Sequence, residues 1–343
     1  MSAATATAVQ IVPPGRLVYG LQLPVAAQST VFAAPWEATA GREEILRVAQ
    51  ACDESGFFYV AVCDHIAIPR AQARAMSTVW YDAVATLGFL AAATRNVRLL
   101  SYVYVAPYRH PLATAKAFAT LDALSGGRVI LGVGAGHLQG EFEMLGVDFG
   151  RRGKLLDEAI DLITAAFLDE YPEHDGPVWK VSGFGQRPRP LQQPRPPIWV
   201  GGSTPAALRR AAARGDGWLP QGVPEMGMEK AIAYIHDHRA KLRAGAPIEI
   251  GMNSPWLYVG KPSFETGAND LTGSGEQIAA ALRQRKALGV SHMGVRFRNR
   301  SCDELVDQIR AFGSEVAPHL NEGAAAPGDT GASPHAPVGR SPR

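Results

Sequence analysis

Three short stretches of this 343-residue sequence bring together residue types that can move protons or hold anions. Cys63-Asp64-His65 sets a carboxylate beside an imidazole, a pairing suited to general acid/base work near neutral pH, and equally suited to the solvated end of a strand. Gly132-Val133-Gly134-Ala135-Gly136-His137 strips side chains from a turn, so that a ligand can approach the backbone closely. Gly201-Gly202-Ser203-Thr204-Pro205 opens a helix. Free N–H groups, a hydroxyl and the helix dipole there serve an anion or simply cap the helix.

Other chemistries find no support. The glycine run is not a dinucleotide fingerprint: a G-x-G-x-x-G reading puts His137 at the third glycine, and no acidic strand end follows about 20 residues on. The nine histidines form no H-x-x-x-H or H-E-x-x-H pattern, and His236 and His238 face different ways on a helix, so no metal site is expected. There is no G-x-S-x-G elbow and no Walker motif. A Schiff-base aldolase would want a lysine at a strand end, and none of the strand ends supplies one. Cys52, Cys63 and Cys302 form no C-x-x-C pair and read as reduced thiols of a cytoplasmic protein. A net charge of +2 with scattered basic residues gives no reason to expect nucleic acid or an acidic membrane surface. No apolar run reaches the ~18 residues of a membrane span, and the N-terminus lacks the pattern of a signal peptide.

These stretches gain meaning from the elements that carry them. Apolar runs at Val18–Val25, Phe57–Val62, Val97–Ala106, Arg128–Val133, Pro197–Gly202, Gly217–Gln221, Ile248–Gly260 and Ser291–Phe297 read as strands. Each is followed by a segment with helical period: Glu43–Ser55, Tyr81–Thr94, Leu112–Leu124, Lys154–Leu168, Pro205–Arg214, Met228–Ala244, Gly275–Leu288 and Asp303–Val316. The alternation predicts a (β/α)8 TIM barrel over residues 15–321, with a Pro- and Gly-rich insertion at 171–197 after the fourth βα unit. Residues 1–14 and 322–343 are expected to be disordered. In such a barrel the chemistry gathers where strands end, which places all three stretches at one mouth. Pro107-Tyr108-Arg109-His110-Pro111 leads into a helix there. Arg70, Arg74 and Trp80, on the long loop after the second strand, are candidate substrate contacts or a solvated loop.

Taken in order, GLQLP at Gly20–Pro24, CDHIAIP at Cys63–Pro69, PYRHP at Pro107–Pro111 and LDALSGGRVILGVGAG at Leu121–Gly136 resemble the luciferase-like flavin- and F420-dependent oxidoreductases. So do EFEMLGVDFGRRG at Glu141–Gly153, PIWVGGSTPAALRRAAARGDGWLP at Pro197–Pro220 and LGVSHMGVRF at Leu288–Phe297; LSGGR-x-x-LGVG-x-G is the most specific piece. The resemblance implies a tricyclic cofactor at the barrel mouth, with Asp64 and His65 in its cofactor-binding and acid/base positions. It implies a non-prolyl cis peptide at Tyr102-Val103 under the ring. Gly132, Gly134 and Gly136 would approach the ring and tail, and Gly201, Gly202, Ser203 and Thr204 would cradle the tail phosphate. The F420 branch is the closest in wording, which implies hydride transfer to a small-molecule substrate, with His65 as proton donor or acceptor and a homodimer as the assembly. An FMN-dependent monooxygenase of the same fold is the alternative, and a flavin-binding barrel without turnover a further one.

Overall fold

The computed structural model describes residues 8–30 and 32–322. Eight parallel strands close into a barrel: β1 (Val18–Gln22), β2 (Tyr59–Val62), β3 (Arg98–Ser101), β4 (Val129–Gly134), β5 (Ile198–Gly201), β6 (Gly217–Leu219), β7 (Glu249–Val259) and β8 (His292–Phe297). Closure comes from the pairing of β1 with β8, which sets Gly20 opposite Gly294, and from that of β7 with both β6 and β8. The helices that follow each strand are α1 (Arg42–Glu54), α2 (Ala83–Ala93), α3 (Pro111–Ser125), α4 (Arg152–Leu168), α5 (Pro205–Arg214), α6 (Met228–Leu242), α7 (Gly275–Ala287) and α8 (Cys302–Ala311). The expected barrel is therefore the observed one. No helix among the described residues is long and apolar enough to cross a membrane.

Period-2 alternation sorts the strand residues into two cores. Val60, Val62, Leu99, Val129, Leu131, Ile198, Val200, Met293, Val295 and Phe297 face outward and pack against the helices. Tyr59, Ala61, Leu100, Ile130, Trp199 and Leu219 fill the barrel interior. Glycine interrupts the interior where large neighbours need the room: a Cβ on Gly20 would lie 2.3 Å from the Tyr59 ring, and one on Gly217 2.4 Å from Trp199.

Two expectations about the elements change. The single run Val97–Ala106 is broken into β3 and a short strand at Tyr104–Val105, and the Tyr102-Val103 peptide between them is cis. Residues 8–14, expected to be disordered, instead close the barrel floor. Val12 is buried against the interior core. The amides of Ile11 and Val12 donate to Glu249 Oε1 at 2.7 and 2.6 Å, and that of Val9 to Asp216 Oδ1 at 3.0 Å. Composition alone showed no period there. The apolar side chains find their burial only at the open end of a finished barrel, and the two buried carboxylates there accept the strap's amides. Asp216 is further held by Arg195 at 2.5 Å, and Glu249 by the Trp199 indole at 2.7 Å. The insertion at 171–197 forms a small hairpin (His174–Asp175 with Lys180–Val181) and runs along α3 and α4, where Glu158 accepts from the Val178 and Trp179 amides and Asp122 from those of Leu191 and Gln192. Of the expected C-terminal tail, residues 323–343 lie outside the described residues; Glu322 reaches His319 and Arg283.

Candidate active site

The strand ends surround a cavity of about 1010 Å³ at the barrel mouth. Its wall includes Asp64 and His65 after β2, Tyr102 and Val103 after β3, Gly134 to His137 after β4, and Gly201 to Pro205 after β5. The three stretches separated by some 140 residues thus meet in one place, as the barrel geometry requires.

The backbone is pared away where the wall is tightest. A Cβ on Gly134 would come within 2.4 Å of Val103 Cγ2, and one on Gly201 within 2.5 Å of Val103 Cγ1. Val103, projected by the cis peptide, therefore sits between two glycines from different strands. Gly136 has φ +78° and would strike Val105 and Phe142. The smooth wall so formed fits the flat face of an aromatic ring system. Gly132 does not belong to it. A Cβ there would strike the Ser101 carbonyl at 2.0 Å, and Ser101 Oγ bonds both the amide and the carbonyl of Gly132, so this glycine serves strand packing below the cavity.

His65 brings an imidazole to this wall, a group able to exchange a proton near neutral pH. Its Nδ1 lies 2.6 Å from Glu141 Oε2, and its ring packs edge-on against Trp80 at 4.4 Å and His137 at 5.4 Å. Glu141 was not singled out from the sequence. It is buried in the short helix Gln139–Met144 and accepts from the amides of Ile66 and Ala67 and from the Tyr108 hydroxyl as well. Burial alone would raise its carboxyl. The His65 hydrogen bond and charge and the two amides outweigh that and hold it below the usual carboxylate range. Burial, then the neighbouring His65, lowers His137, which favours its neutral form. Only an adjacent glycine-rich turn marked Glu141 in the sequence, and Glu143 stood equally close.

Asp64 also lines the cavity, and its carboxylate is tied down by its own neighbours. Its carboxylate is buried, forks onto Arg109 at 2.7 and 2.9 Å and accepts the Val105 amide at 2.8 Å. Arg109 lies in turn over the Tyr104 ring at 4.2 Å. With both oxygens engaged, Asp64 acts as a positioning residue that clamps the chain just after the cis peptide. Trp80 reaches the wall; Arg70 and Arg74 are exposed and outside it, because their loop turns them to solvent. Cys63, also on the wall, is pushed up to about 12 by burial and then by Asp64, so its thiol stays protonated.

At the far end, α5 points its N-terminus at the cavity. Thr204 caps the Ala207 amide at 3.3 Å, and Ser203 Oγ bridges the Gly222 carbonyl and the Gln221 amide. The Gly202 amide is spent on the Leu219 carbonyl, and its φ of +115° is what glycine supplies at this position. Besides the helix start, two arginines absent from the sequence-based site, Arg152 and Arg210, line this end of the cavity, a donor set suited to an anion. Arg210 is held by Asp157 at 2.6 Å.

The family model for luciferase-like monooxygenases matches residues 23–263, which contain every one of these elements. The chain belongs to the luciferase-like monooxygenase family. Members of this family are oxidoreductases or monooxygenases. An uncharacterised protein of Mycobacterium tuberculosis is 37% identical over 161 residues, 47% of this chain and 55% of its own. The FMNH2-dependent dimethylsulfone monooxygenase of Pseudomonas putida is 28% identical over 212 residues, 61% of this chain and 56% of its own. The chain thus spans about half the length of the curated relatives it matches. Among solved structures, the coenzyme F420-dependent tetrahydromethanopterin reductase of Methanopyrus kandleri superposes with a TM-score of 0.68 at 19% identity, covering 89% of this chain and 99% of that one. The luciferase-like barrel is thereby shared with proteins named for either cofactor.

Proposed function

We propose that this protein is an F420-dependent oxidoreductase acting on a small organic substrate with a C=O, C=C or C=N bond. The observation that carries the reading is the buried His65–Glu141 pair on the wall of a glycine-lined cavity, beside the Tyr102-Val103 cis peptide. Gly134, Gly136 and Gly201 leave a flat face that the ring fits, and the α5 N-terminus with Arg152 and Arg210 suits an anionic tail. When bound, the deazaflavin supplies or accepts a hydride and does not activate oxygen. The protein's own part is to place substrate and proton. Glu141 accepts from His65 Nδ1–H, which leaves the other ring nitrogen to give a proton to the substrate heteroatom on reduction or take it back on oxidation. Trp80 and His137, packed edge-on against the imidazole at 4.4 and 5.4 Å, hold its ring in place.

The barrel is compatible with the deazaflavin, since a solved F420-dependent reductase shares this fold over nearly its whole length. FMN is the second reading, favoured by the sequence match to an FMNH2-dependent monooxygenase. Fluorescence titration of the purified protein with F420 and with FMN separates them. Micromolar F420 binding with weak FMN binding, and turnover indifferent to oxygen, is the expected result. Tight FMN binding with oxygen uptake overturns the deazaflavin half of the reading, and binding of neither overturns both.

A further inference from the structure

The substrate class is legible in the barrel's last strand. On β8, Met293, Val295 and Phe297 face the helices, so His292, Gly294 and Arg296 face the interior. His292 lies at the bottom, stacked on Trp199 at 4.0 Å. Gly294 forms the next layer, where a Cβ would meet Asn253 Oδ1 at 2.6 Å and the Tyr59 hydroxyl at 3.6 Å. Arg296 stands one layer higher, at the mouth. Its backbone amide is fixed by Ser254 Oγ at 3.1 Å. Its guanidinium, with five N–H donors, has neither an ion pair nor a hydrogen bond to any described residue; it lies over the face of Phe32 at 5.4 Å and feels Tyr102 nearby. Arg109, Arg195, Arg210, Arg214 and Arg298 are each paired with an aspartate.

Arg296 lines a recess of about 110 Å³ off the main cavity, together with Gln22, Tyr102, Asn253, Trp256 and Asn299. That volume admits several water-sized groups, which is a carboxylate with a short carbon stem. The recess and the main cavity share Gln22, Ala27, Phe32 and Tyr102, so a molecule on the cis-peptide floor reaches Arg296 without leaving the site. Glu37, the acid that also lines the recess, forms no ion pair with Arg296; its two oxygens are turned to the Val25 and Ala34 amides, each at 2.7 Å. Arg152, Arg210 and the α5 N-terminus line only the main cavity, so the cofactor's anionic tail has its own partners and leaves Arg296 over. A half-buried guanidinium whose N–H groups lack any acceptor is costly unless a ligand brings one, and its planar fork matches a carboxylate in bidentate fashion.

We propose that Arg296 receives a carboxylate carried by the substrate, so that the substrates are small organic acids whose reducible bond lies beside the His65 wall. This rests on the function proposed above, but its test does not pass through the cofactor. Benzoate and its neutral isostere benzamide are titrated into the full-length protein by calorimetry, with inorganic phosphate as a third probe. The expected result is benzoate binding about tenfold or more tighter than benzamide, a difference that vanishes in Arg296→Gln and partly survives in Arg296→Lys. Circular dichroism checks that each variant is folded; the Lys variant carries the test if the Gln variant is not. Equal binding of benzoate and benzamide, binding of neither, or phosphate binding as tight as benzoate overturns the proposal. So does an Arg296→Gln variant that loses F420 or FMN as severely as benzoate, since Arg296 then belongs to the cofactor. Failure of the wild-type cofactor titration with the benzoate preference intact overturns the function reading alone.

Discussion

Replacing Glu141 by alanine and by glutamine separates its two tasks. Its carboxylate is 1% exposed and holds His65 Nδ1 at 2.6 Å, the Ile66 and Ala67 amides at 2.8 and 3.1 Å, and the Tyr108 hydroxyl at 3.0 Å. Alanine strands all four at once. Removing one member of a buried charged network costs about 3–5 kcal/mol. Ile66 and Ala67 are exposed residues whose amides can take water from the vacated space, which puts the expected loss near the lower end, about 3 kcal/mol. Glutamine keeps the volume and one oxygen for the two amides, so about 1 kcal/mol is expected to be lost. Its NH2, however, faces the imidazole where an acceptor stood. The ring must then reverse its tautomer, and a carboxylate-to-amide change of this kind in a serine-protease triad lowers turnover about 10⁴-fold. A loss of about 10²–10⁴ in turnover is expected here. Urea unfolding followed by tryptophan fluorescence measures the stability terms. Because the folded carboxyl lies below its ordinary value of 4.5, its stabilising share is fully present above that pH and is lost as pH falls through the folded value. The gap between wild type and Glu141→Gln should therefore narrow on acidification. An alanine variant within 1 kcal/mol of wild type, or a gap that widens in acid, refutes the placement of Glu141 as the buried anion holding His65.

His65→Ala is expected to cut turnover by about 10²–10⁴ while cofactor affinity, measured by fluorescence titration, changes little; near-wild-type turnover would remove His65 from proton transfer. Gly202→Val forces a branched residue into φ +115° with its Cβ 2.8 Å from that of Ala207, so cofactor affinity should fall at least about tenfold with a stability loss of about 1–3 kcal/mol, and unchanged affinity would leave the α5 start as a helix cap alone. Deleting residues 1–14 uncovers the barrel floor and removes the buried Val12, worth about 1.5–3 kcal/mol before its lost hydrogen bonds, so melting should drop by several degrees; an unchanged melting temperature would show that the strap is dispensable.

The amino-acid sequence determined the architecture. Apolar runs of strand length alternating with helical periods are local properties, and eight such pairs leave few ways to bury both faces of every strand. The glycines of Gly134–Gly136 and Gly201–Gly202 were legible for the same reason, since a missing side chain is visible without knowing what lies opposite. Tertiary structure decided which partner each polar group of the cavity wall receives. Asp64 and His65 are adjacent in the chain, yet closure of the barrel gives the aspartate to Arg109, 45 residues on, and the histidine to Glu141, 76 residues on. Arg296 and Asn253 look like ordinary strand residues until the pairing of β7 with β8 brings both to one recess, Asn253 in the layer of Gly294 and Arg296 above it. The strap at residues 8–14 has no pattern of its own and is ordered by Asp216 and Glu249, more than 200 residues away. Periodicity is written along the chain, whereas the partner of a buried charge is set by whichever distant group the closed barrel brings within hydrogen-bond reach.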